Sequence, residues 1–252
     1  MKKIKTILIS LILTSPIFQL NAQDLSAKEI IVKADDKMRG ISSECTMTMK
    51  IVRPSWERTV TFKSWAKDRN YSLTLITSPA KEKGQTFLKR DNDMWNWIPN
   101  ISRLVKIPPS MLSQGWMGSD YTNDDILKES SIVVDYIHSI MGYDTVAGLE
   151  CYKIKLIPKP DAAVVWGHIM TWISKKEFLQ LKTMYYDEDN YLVKTEVASD
   201  IKFMDDRNIP TYIEIVPEDN QGHKTIVIIN DIKFNINIDD SFFSQQNMKK
   251  IR

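Results

Sequence analysis

The sequence predicts a mainly β protein in which consecutive antiparallel strands form one strongly curved sheet. Apolar and polar residues alternate in several stretches, including 46–51, 72–75 and 231–238, and this period of two is typical of a strand with one wet and one dry face. Short polar turns separate such stretches at 81–84, 90–93, 187–190, 205–208 and 218–222. Because many strands with little helix must curl to bury one face, we expect a barrel or a strongly bent sheet.

The N-terminal segment is predicted to be an export signal. Three lysines among the first five residues precede an apolar stretch at 7–13, which is too short to cross a bilayer. The expected cleavage site follows Ala22, and no second long apolar stretch occurs downstream. We therefore expect residues 1–22 to be a signal peptide and residues 23–252 to form a single exported domain that does not span a membrane.

The charge balance argues against a nucleic-acid-binding protein. The whole chain carries 34 Lys+Arg and 32 Asp+Glu, for a net charge of +2. The first 22 residues hold three of the lysines and no acidic residue, so the mature chain has a net charge of −1. No basic excess remains that would favour nucleic acid as a partner.

One amphipathic helix is predicted near the start of the mature chain, from Ala27 to Arg39. Ser26 and Glu29 have the spacing of a capping box, and Gly40 stands where helices often end. The apolar face consists of Ile30, Ile31, Ala34 and Met38. This face must be buried, and since most of the chain is predicted to be strand, we expect it to pack on the sheet.

The most distinctive stretch of the sequence runs from residue 94 to residue 125. Trp95 and Trp97 have strand spacing, so their indoles leave the same face of a sheet. Two prolines, Pro108 and Pro109, end the extended region. The apolar residues that follow are Met111, Leu112, Trp116 and Met117. Such a concentration of Trp and Met is compatible with ordinary core packing and equally with an apolar binding site.

The order of these motifs resembles the LolA-like family of exported bacterial proteins, known as outer-membrane lipoprotein-sorting proteins. The shared signature is W-x-W-x-P, then a basic strand, then G-S-D-aromatic, here Gly118, Ser119, Asp120 and Tyr121. The resemblance extends from about Leu25 to the C-terminal region. It implies a periplasmic protein with an incomplete antiparallel barrel, covered by a few helices, around an apolar cavity.

The resemblance also implies which residues meet a ligand. The candidates for the cavity and for a lid over loop 108–117 are Trp95, Trp97, Ile107, Met111, Leu112, Trp116, Met117 and Tyr121. Gly118, Ser119 and Asp120 are expected to organise the loop that carries Trp116. The implied partners are an acylated lipoprotein or a lipid and an inner-membrane transporter.

No catalytic motif accompanies these features. The sequence has no Gly-rich phosphate loop, G-x-S-x-G, H-E-x-x-H or C-x-x-C motif. His138, His168 and His223 are isolated, and the acidic turn 187–190 lacks the ligand and glycine positions of a calcium loop. We therefore expect neither an enzyme nor a bound cofactor or metal.

Three carboxylates, Asp120, Asp124 and Asp125, lie close together in the sequence. They have the chemistry for a cation site or an acid/base pair, but no nucleophile or histidine accompanies them. Thr122 and Asp125 have the spacing of a second capping box, so we favour a structural role. Asp120 is expected to orient the loop that carries Trp116.

The two cysteines, Cys45 and Cys151, allow a disulfide in an exported chain. Strand periodicity argues against the bond. Cys45 shares a strand face with the apolar Met47 and Met49, whereas Cys151 shares a face with Lys153 and Lys155, so the two thiols are predicted to point to different sides. The sequence alone is compatible with a disulfide and with two free thiols.

Two functions follow from these observations. The first is a periplasmic carrier of acyl chains toward the outer membrane, and the alternative is a lipid sensor or interaction module that regulates a membrane partner. Four basic residues, Lys89, Arg90, Arg103 and Lys106, flank the aromatic strand. They are expected either to meet an anionic headgroup or a transporter surface, or simply to face solvent.

Overall fold

A computed structural model describes residues 25–91, 93–128, 131–162 and 164–251. Its main feature is one antiparallel sheet of 13 strands. The strands are β1 (Ser42–Arg53), β2 (Trp56–Lys67), β3 (Tyr71–Ser78), β4 (Thr86–Arg90), β5 (Asp93–Ile98), β6 (Arg103–Lys106), β7 (Tyr136–Val146), β8 (Leu149–Pro158), β9 (His168–Ser174), β10 (Gln180–Tyr186), β11 (Leu192–Met204), β12 (Arg207–Pro217) and β13 (Lys224–Phe234). The predicted signal peptide, residues 1–22, lies outside the described residues.

The sheet consists of two meanders joined at one place. Its strand order is β6-β5-β4-β3-β2-β1-β13-β12-β11-β10-β9-β8-β7, so every neighbour is sequential except the pair β1 and β13. In that pair Ser43 lies opposite Phe234 and Met47 lies opposite Ile229. The sheet curls into an open half-barrel, which confirms the predicted fold class.

In the described part of the chain, three α-helices accompany the sheet: α1 (Ala27–Arg39), α2 (Asn123–Lys128) and α3 (Gln245–Met248). Helix α1 has the predicted bounds and capping box, with the Ser26 backbone N–H donating to Glu29 and the Glu29 backbone N–H donating to Ser26 Oγ. Its apolar face packs on β7, β8 and β9, with the buried residues Ile30, Ile31, Ala34, Tyr136, Ile154, Leu156, Ile169 and Ile173. The helix therefore covers part of the concave face, as predicted.

Two layers of side chains are buried near β3 and β4, and this differs from the predicted single dry face. Leu73 and Leu88 point to the convex face, where residues 239–251 cover them with Phe243 and Met248. Ser72 and Thr74, which alternate with Leu73, face the concave side. The expectation that Ser72 and Thr74 lie on a wet outer face was wrong, because the C-terminal residues supply a second apolar layer that local periodicity does not reveal.

Among the described residues, no helix combines the length and the apolar character that crossing a membrane requires.

Candidate ligand-binding cavity

A cavity of about 320 Å³ lies between the concave face of the sheet, α1 and residues 107–126, which we call the cover segment. The volume is at the lower end of the range for pockets that bind small molecules. Its apolar wall includes Met47, Met49, Phe62, Trp116, Val227 and Ile229. Both meanders contribute to this wall, since the residues come from β1, β2 and β13 as well as from the cover segment.

Trp116 closes one end of the cavity. Its side chain is 3% exposed, and its ring meets Phe62 and Phe87 edge-on, with centroid distances of 5.6 and 5.3 Å. Edge-to-face contacts of this kind favour one orientation of the ring. The same apolar cluster contains Ile107, Leu112, Met117 and Tyr121 as partly buried neighbours. The cover segment is thus an integral wall of the cavity.

A buried ion pair anchors the cover segment to the sheet. Arg53, the last residue of β1, donates from Nη1 and Nη2 to the two carboxylate oxygens of Asp120, at 3.1 Å each. Thr225 Oγ1 on β13 donates to Asp120 Oδ2 at 2.7 Å and accepts from the Asp120 backbone N–H at 2.9 Å. Since Arg53 Nη2 also donates to the Gly118 carbonyl at 2.9 Å, one guanidinium fixes two points of the segment.

The G-S-D motif forms the tight turn that this anchor requires. Gly118 has a φ of +79°, a backbone conformation that residues with a side chain rarely adopt. Ser119 Oγ donates to the Trp116 carbonyl at 2.7 Å and accepts from the Tyr121 backbone N–H at 3.2 Å. A Cβ atom on Gly115 would lie 2.5 Å from the Ser119 carbonyl oxygen, so the turn closes tightly on glycine. These contacts support the predicted loop-organising role of the motif.

A second anchor joins the cover segment to the other meander. The predicted capping box is present, with the Thr122 N–H donating to Asp125 Oδ2 at 2.7 Å and the Asp125 N–H donating to Thr122 Oγ1 at 3.0 Å. Asp125 also accepts hydrogen bonds from Lys194 Nζ on β11 and from Trp166 Nε1, at 2.5 and 3.2 Å. The carboxylate therefore has structural partners on three sides.

Aromatic rings surround the second anchor. Lys194 Nζ lies 4.8 Å from the ring centroid of Tyr185 and 4.9 Å from that of Trp166, at distances where a cation is attracted to a ring face. Burial, and then the charge of Glu196, raises the pKa of the Tyr185 phenol well above its usual value. Burial likewise raises the pKa of Tyr136, with Asp124 as the next cause. Both phenols are therefore neutral at ordinary pH.

Comparison with known proteins places this architecture in a family. A sequence model of a family of uncharacterized proteins matches residues 68–250. The fold is shared with a DUF1329 family protein from Desulfovibrio piger, with a TM-score of 0.80 and 24% identity over 88% of this chain and 97% of that one. It is also shared with a LolA superfamily protein from Nitrosomonas europaea, with a TM-score of 0.76 and 22% identity over 88% and 99%.

The chain belongs to this family of uncharacterized proteins, and its fold is LolA-like. A third solved structure, a domain from Vibrio parahaemolyticus named for outer membrane lipoprotein sorting, matches with a TM-score of 0.76 and 19% identity over 88% of this chain and 98% of that chain. No curated protein matches the chain.

Within this LolA-like fold the predicted ligand residues fall into three groups. Trp116 and Tyr121 line the cavity. Ile107, Leu112 and Met117 are partly buried beside them in the apolar cluster.

The third group lies away from the cavity. Met111 is half-buried, and its carbonyl accepts a hydrogen bond from Asn123 Nδ2 at 2.9 Å. Trp95 and Trp97 share one face, as predicted, but this face is convex: they lie opposite Leu88 and Thr86 and pack against Phe243 and Met248. They are therefore placed in the outer apolar layer.

The inward positions of β5 and β4 belong to residues outside the predicted set of ligand residues. Met94 and Phe87 belong to the apolar cluster around Trp116. Lys89 lines the cavity, and on neighbouring strands so do Ser43, Ser64, Ser72 and Thr74. The periodicity of residues 72–75 contained this signal, but polar residues in a strand ordinarily indicate the solvent side.

The remaining candidate ligands are dispersed. His138 Nε2 lies 2.6 Å from the Ile132 carbonyl, and the His168 ring stacks on Tyr186 with a centroid distance of 4.2 Å. In residues 25–91, 93–128, 131–162 and 164–251, no group of three or more His, Cys, Asp or Glu residues has the geometry of a metal site.

The two thiols are buried and are not joined in a disulfide. Cys45 packs with Ile232 and Phe234 on the concave side, and Cys151 packs with Trp172 in a different cluster. This placement agrees with the strand alternation of the two cysteines, which predicts that their side chains do not meet.

Proposed function

We propose that the protein is a periplasmic carrier that holds an acyl chain of a lipoprotein or lipid in the cavity and moves it toward the outer membrane. The observation that carries this proposal is an apolar cavity whose wall includes a separately anchored cover segment. The likeness to the domain from Vibrio parahaemolyticus named for outer membrane lipoprotein sorting supports the same class of cargo.

The energetics of such a cavity suit a carrier. Burial of each methylene group contributes about 0.8 kcal/mol, so an acyl chain gains affinity without a polar contact. Transfer also requires release of the acyl chain, and opening of the cover segment would provide its exit from the cavity. Its apolar part, around Trp116 and Met117, packs on the cavity, while its two polar anchors at Asp120 and Asp125 leave it a defined closed position. An inner-membrane transporter supplies the cargo in this scheme.

The sensor alternative has one observation in its favour. Strand β7 is an edge of the sheet, and its Ile137, Met141 and Tyr143 side chains are 55, 56 and 65% exposed. An exposed apolar edge strand is a surface on which another chain can add a strand. In a sensor, lipid binding would alter this contact with a membrane protein and no cargo would be delivered.

The test is the lipid content of the mature protein, residues 23–252, purified from the periplasm. Organic extracts of the wild type and of a Trp116→Asp, Met117→Asp variant are compared by mass spectrometry. A Phe203→Asp variant is the matched control, because Phe203 is 70% exposed on the surface. We expect acyl lipid or acylated peptide with the wild type and the control, and loss of it with the double variant. An empty, folded wild type would contradict the carrier.

A further inference from the structure

One end of the cavity has a polar wall, formed by a row of side chains across four strands. Ser43 on β1 lies opposite Ala66 on β2, Ala66 lies opposite Ser72 on β3, and Ser72 lies opposite Lys89 on β4. All four residues line the cavity. This row lies at the start of β1, next to the C-terminal end of α1, and therefore far from Trp116.

The hydroxyl groups of this wall are only partly satisfied by the protein. In the next row, Ser64 Oγ and Thr74 Oγ1 are hydrogen-bonded to each other at 3.1 Å. The hydroxyls of Ser43 and Ser72 have no hydrogen-bond partner within the described part of the chain, although Ser43 is buried. Neither hydroxyl is fully enclosed by protein atoms, so each is open to the cavity. The two serines lie two strands apart with Ala66 between them, so both hydroxyls can donate to a ligand that lies over Ala66.

The charges around this wall are biased toward cations. Lys89 is 7% exposed, and its Nζ donates to the Arg69 carbonyl at 3.1 Å. Arg39 Nε and Arg69 Nε lie 3.6 and 2.8 Å from the Asp35 carboxylate, and Arg69 Nη2 lies 2.6 Å from Asp36. Three cations thus face two carboxylates. At the opposite end, Asp124, Asp125 and Glu196 face Lys194, so the cavity has a cationic and an acidic end.

The distance between the polar wall and the apolar end is long enough for one acyl chain. Ser43 and Met49 both line the cavity and are six residues apart on β1, which corresponds to about 20 Å at the rise of a strand. One acyl chain spans about half of the hydrocarbon core of a bilayer, or about 15 Å. A chain whose methyl end lies near Met49 and Trp116 therefore places its headgroup beside Ser43 and Lys89.

We propose that Ser43, Ser72 and Lys89 form a site for an anionic headgroup. The cavity would then select single-chain amphiphiles whose carboxylate or phosphate lies beside this polar wall. This proposal rests on the proposed function, because it assumes that the apolar part of the cavity holds an acyl chain. The two serine hydroxyls donate hydrogen bonds to the anion, and the Lys89 ammonium supplies the charge. The acidic end of the cavity disfavours the reverse orientation.

The experiment compares probes that share one tail and differ in the headgroup. Delipidated mature protein is titrated calorimetrically with palmitate, hexadecyl phosphate and the neutral monopalmitin. Because hydrogen bonds to a charged group are stronger than those to a neutral group, we expect the wild type to bind at least one of the two anions about tenfold or more tightly than monopalmitin. Comparison of palmitate with hexadecyl phosphate distinguishes a carboxylate headgroup from a phosphate headgroup.

Two variants assign the preference to these residues. Ser43→Ala with Ser72→Ala removes the hydroxyls, and Lys89→Met removes the charge but keeps the length of the side chain. We expect each variant to lose most of the preference for anions while monopalmitin binding stays unchanged, which also shows that the cavity is folded. The matched control combines Ser139→Ala with Lys63→Met, since both side chains are exposed on the surface, and it should keep the preference.

The outcomes separate the two proposals. Equal binding of all three probes to the wild type would overturn the headgroup site and leave the acyl cavity standing. Binding of none of them would overturn the proposed function itself. A preference for anions that survives in both variants would show that other groups, and not Ser43, Ser72 and Lys89, recognise the headgroup.

Discussion

Replacing Asp120 with Asn tests whether the ion pair with Arg53 holds the cover segment on the sheet. The two side chains are 10 and 9% exposed, so solvent screens their attraction little. Removing one member of a buried ion pair leaves the other charge without compensation and costs about 3–5 kcal/mol. Asn keeps the shape of Asp and can still accept a hydrogen bond from Thr225, so we expect a loss of about 3 kcal/mol, at the lower end of that range.

The measurement is differential scanning calorimetry of the mature protein. For a chain of this size, 1 kcal/mol corresponds to about 2–4 °C, so the Asp120→Asn variant should melt about 6–12 °C below the wild type. The matched control is Asp93→Asn, which breaks the exposed ion pair between Lys106 and Asp93, whose side chains are 57 and 45% exposed. Surface pairs contribute about 1 kcal/mol or less, and the control should melt within a few degrees of the wild type.

A double variant separates the effect of an uncompensated charge from the effect of losing the whole ion pair. Combining Asp120→Leu with Arg53→Met removes both charges, and replacement of a whole buried pair by apolar residues is often nearly neutral. We therefore expect the double variant to melt closer to the wild type than Asp120→Asn does. If Asp120→Asn melts no lower than the Asp93→Asn control, the ion pair does not anchor the cover segment, and the G-S-D motif does not hold this segment on the sheet.

Three further predictions concern other parts of the molecule. Trp97→Ala should lower the free energy of unfolding in urea by about 3 kcal/mol or more but leave acyl-chain binding intact, because Trp97 lies in the convex layer. Trp116→Ala should lower both the free energy of unfolding and the affinity for an acyl chain. Intact-mass analysis of the exported protein should give an N-terminus at Gln23. Cys45 and Cys151 should react with a thiol reagent only after unfolding, and since burial raises the pKa of the Cys151 thiol, its thiolate fraction at pH 8 should be below that of an unfolded control. A disulfide-linked species on a non-reducing gel would contradict the last prediction.

The features that local sequence determines were predicted well. The capping boxes at Ser26 and Thr122 depend on residues three positions apart, and both are present. The common face of Trp95 and Trp97 follows from strand geometry and is also present. Gly118 at a positive φ fits the predicted loop-organising motif.

The features that depend on distant parts of the chain were not predictable in the same way. The periodicity of β5 puts Trp95 and Trp97 on one face, but the choice of the convex face depends on Phe243 and Met248, about 150 residues later. The partner of Asp120, Arg53, lies 67 residues earlier. The sequence of one strand shows which residues share a face, but tertiary contacts decide what covers each face.

The polar wall of the cavity is a second feature that local sequence did not predict. Ser72 and Thr74 have the sequence pattern of solvent-facing residues, yet they line an interior surface. Such residues are rare in an ordinary core because burial of a hydroxyl is unfavourable. Where they occur together with Lys89, the departure from the expected pattern coincides with the site proposed for a headgroup.

The single non-sequential strand pair has a consequence for the order of folding. Strands β2 to β6 can each pair with a strand that has already been made, but β1 has no second partner until β13, the last strand in the chain, is available. Contacts between such distant segments form slowly because a long chain must first close into a loop. Met47 and Ile229, which face each other across this pair, belong to the cavity wall. We therefore expect the capacity to hold a ligand to be the last property that the newly made chain acquires, so under the proposed function a partly synthesised chain would not yet bind an acyl chain.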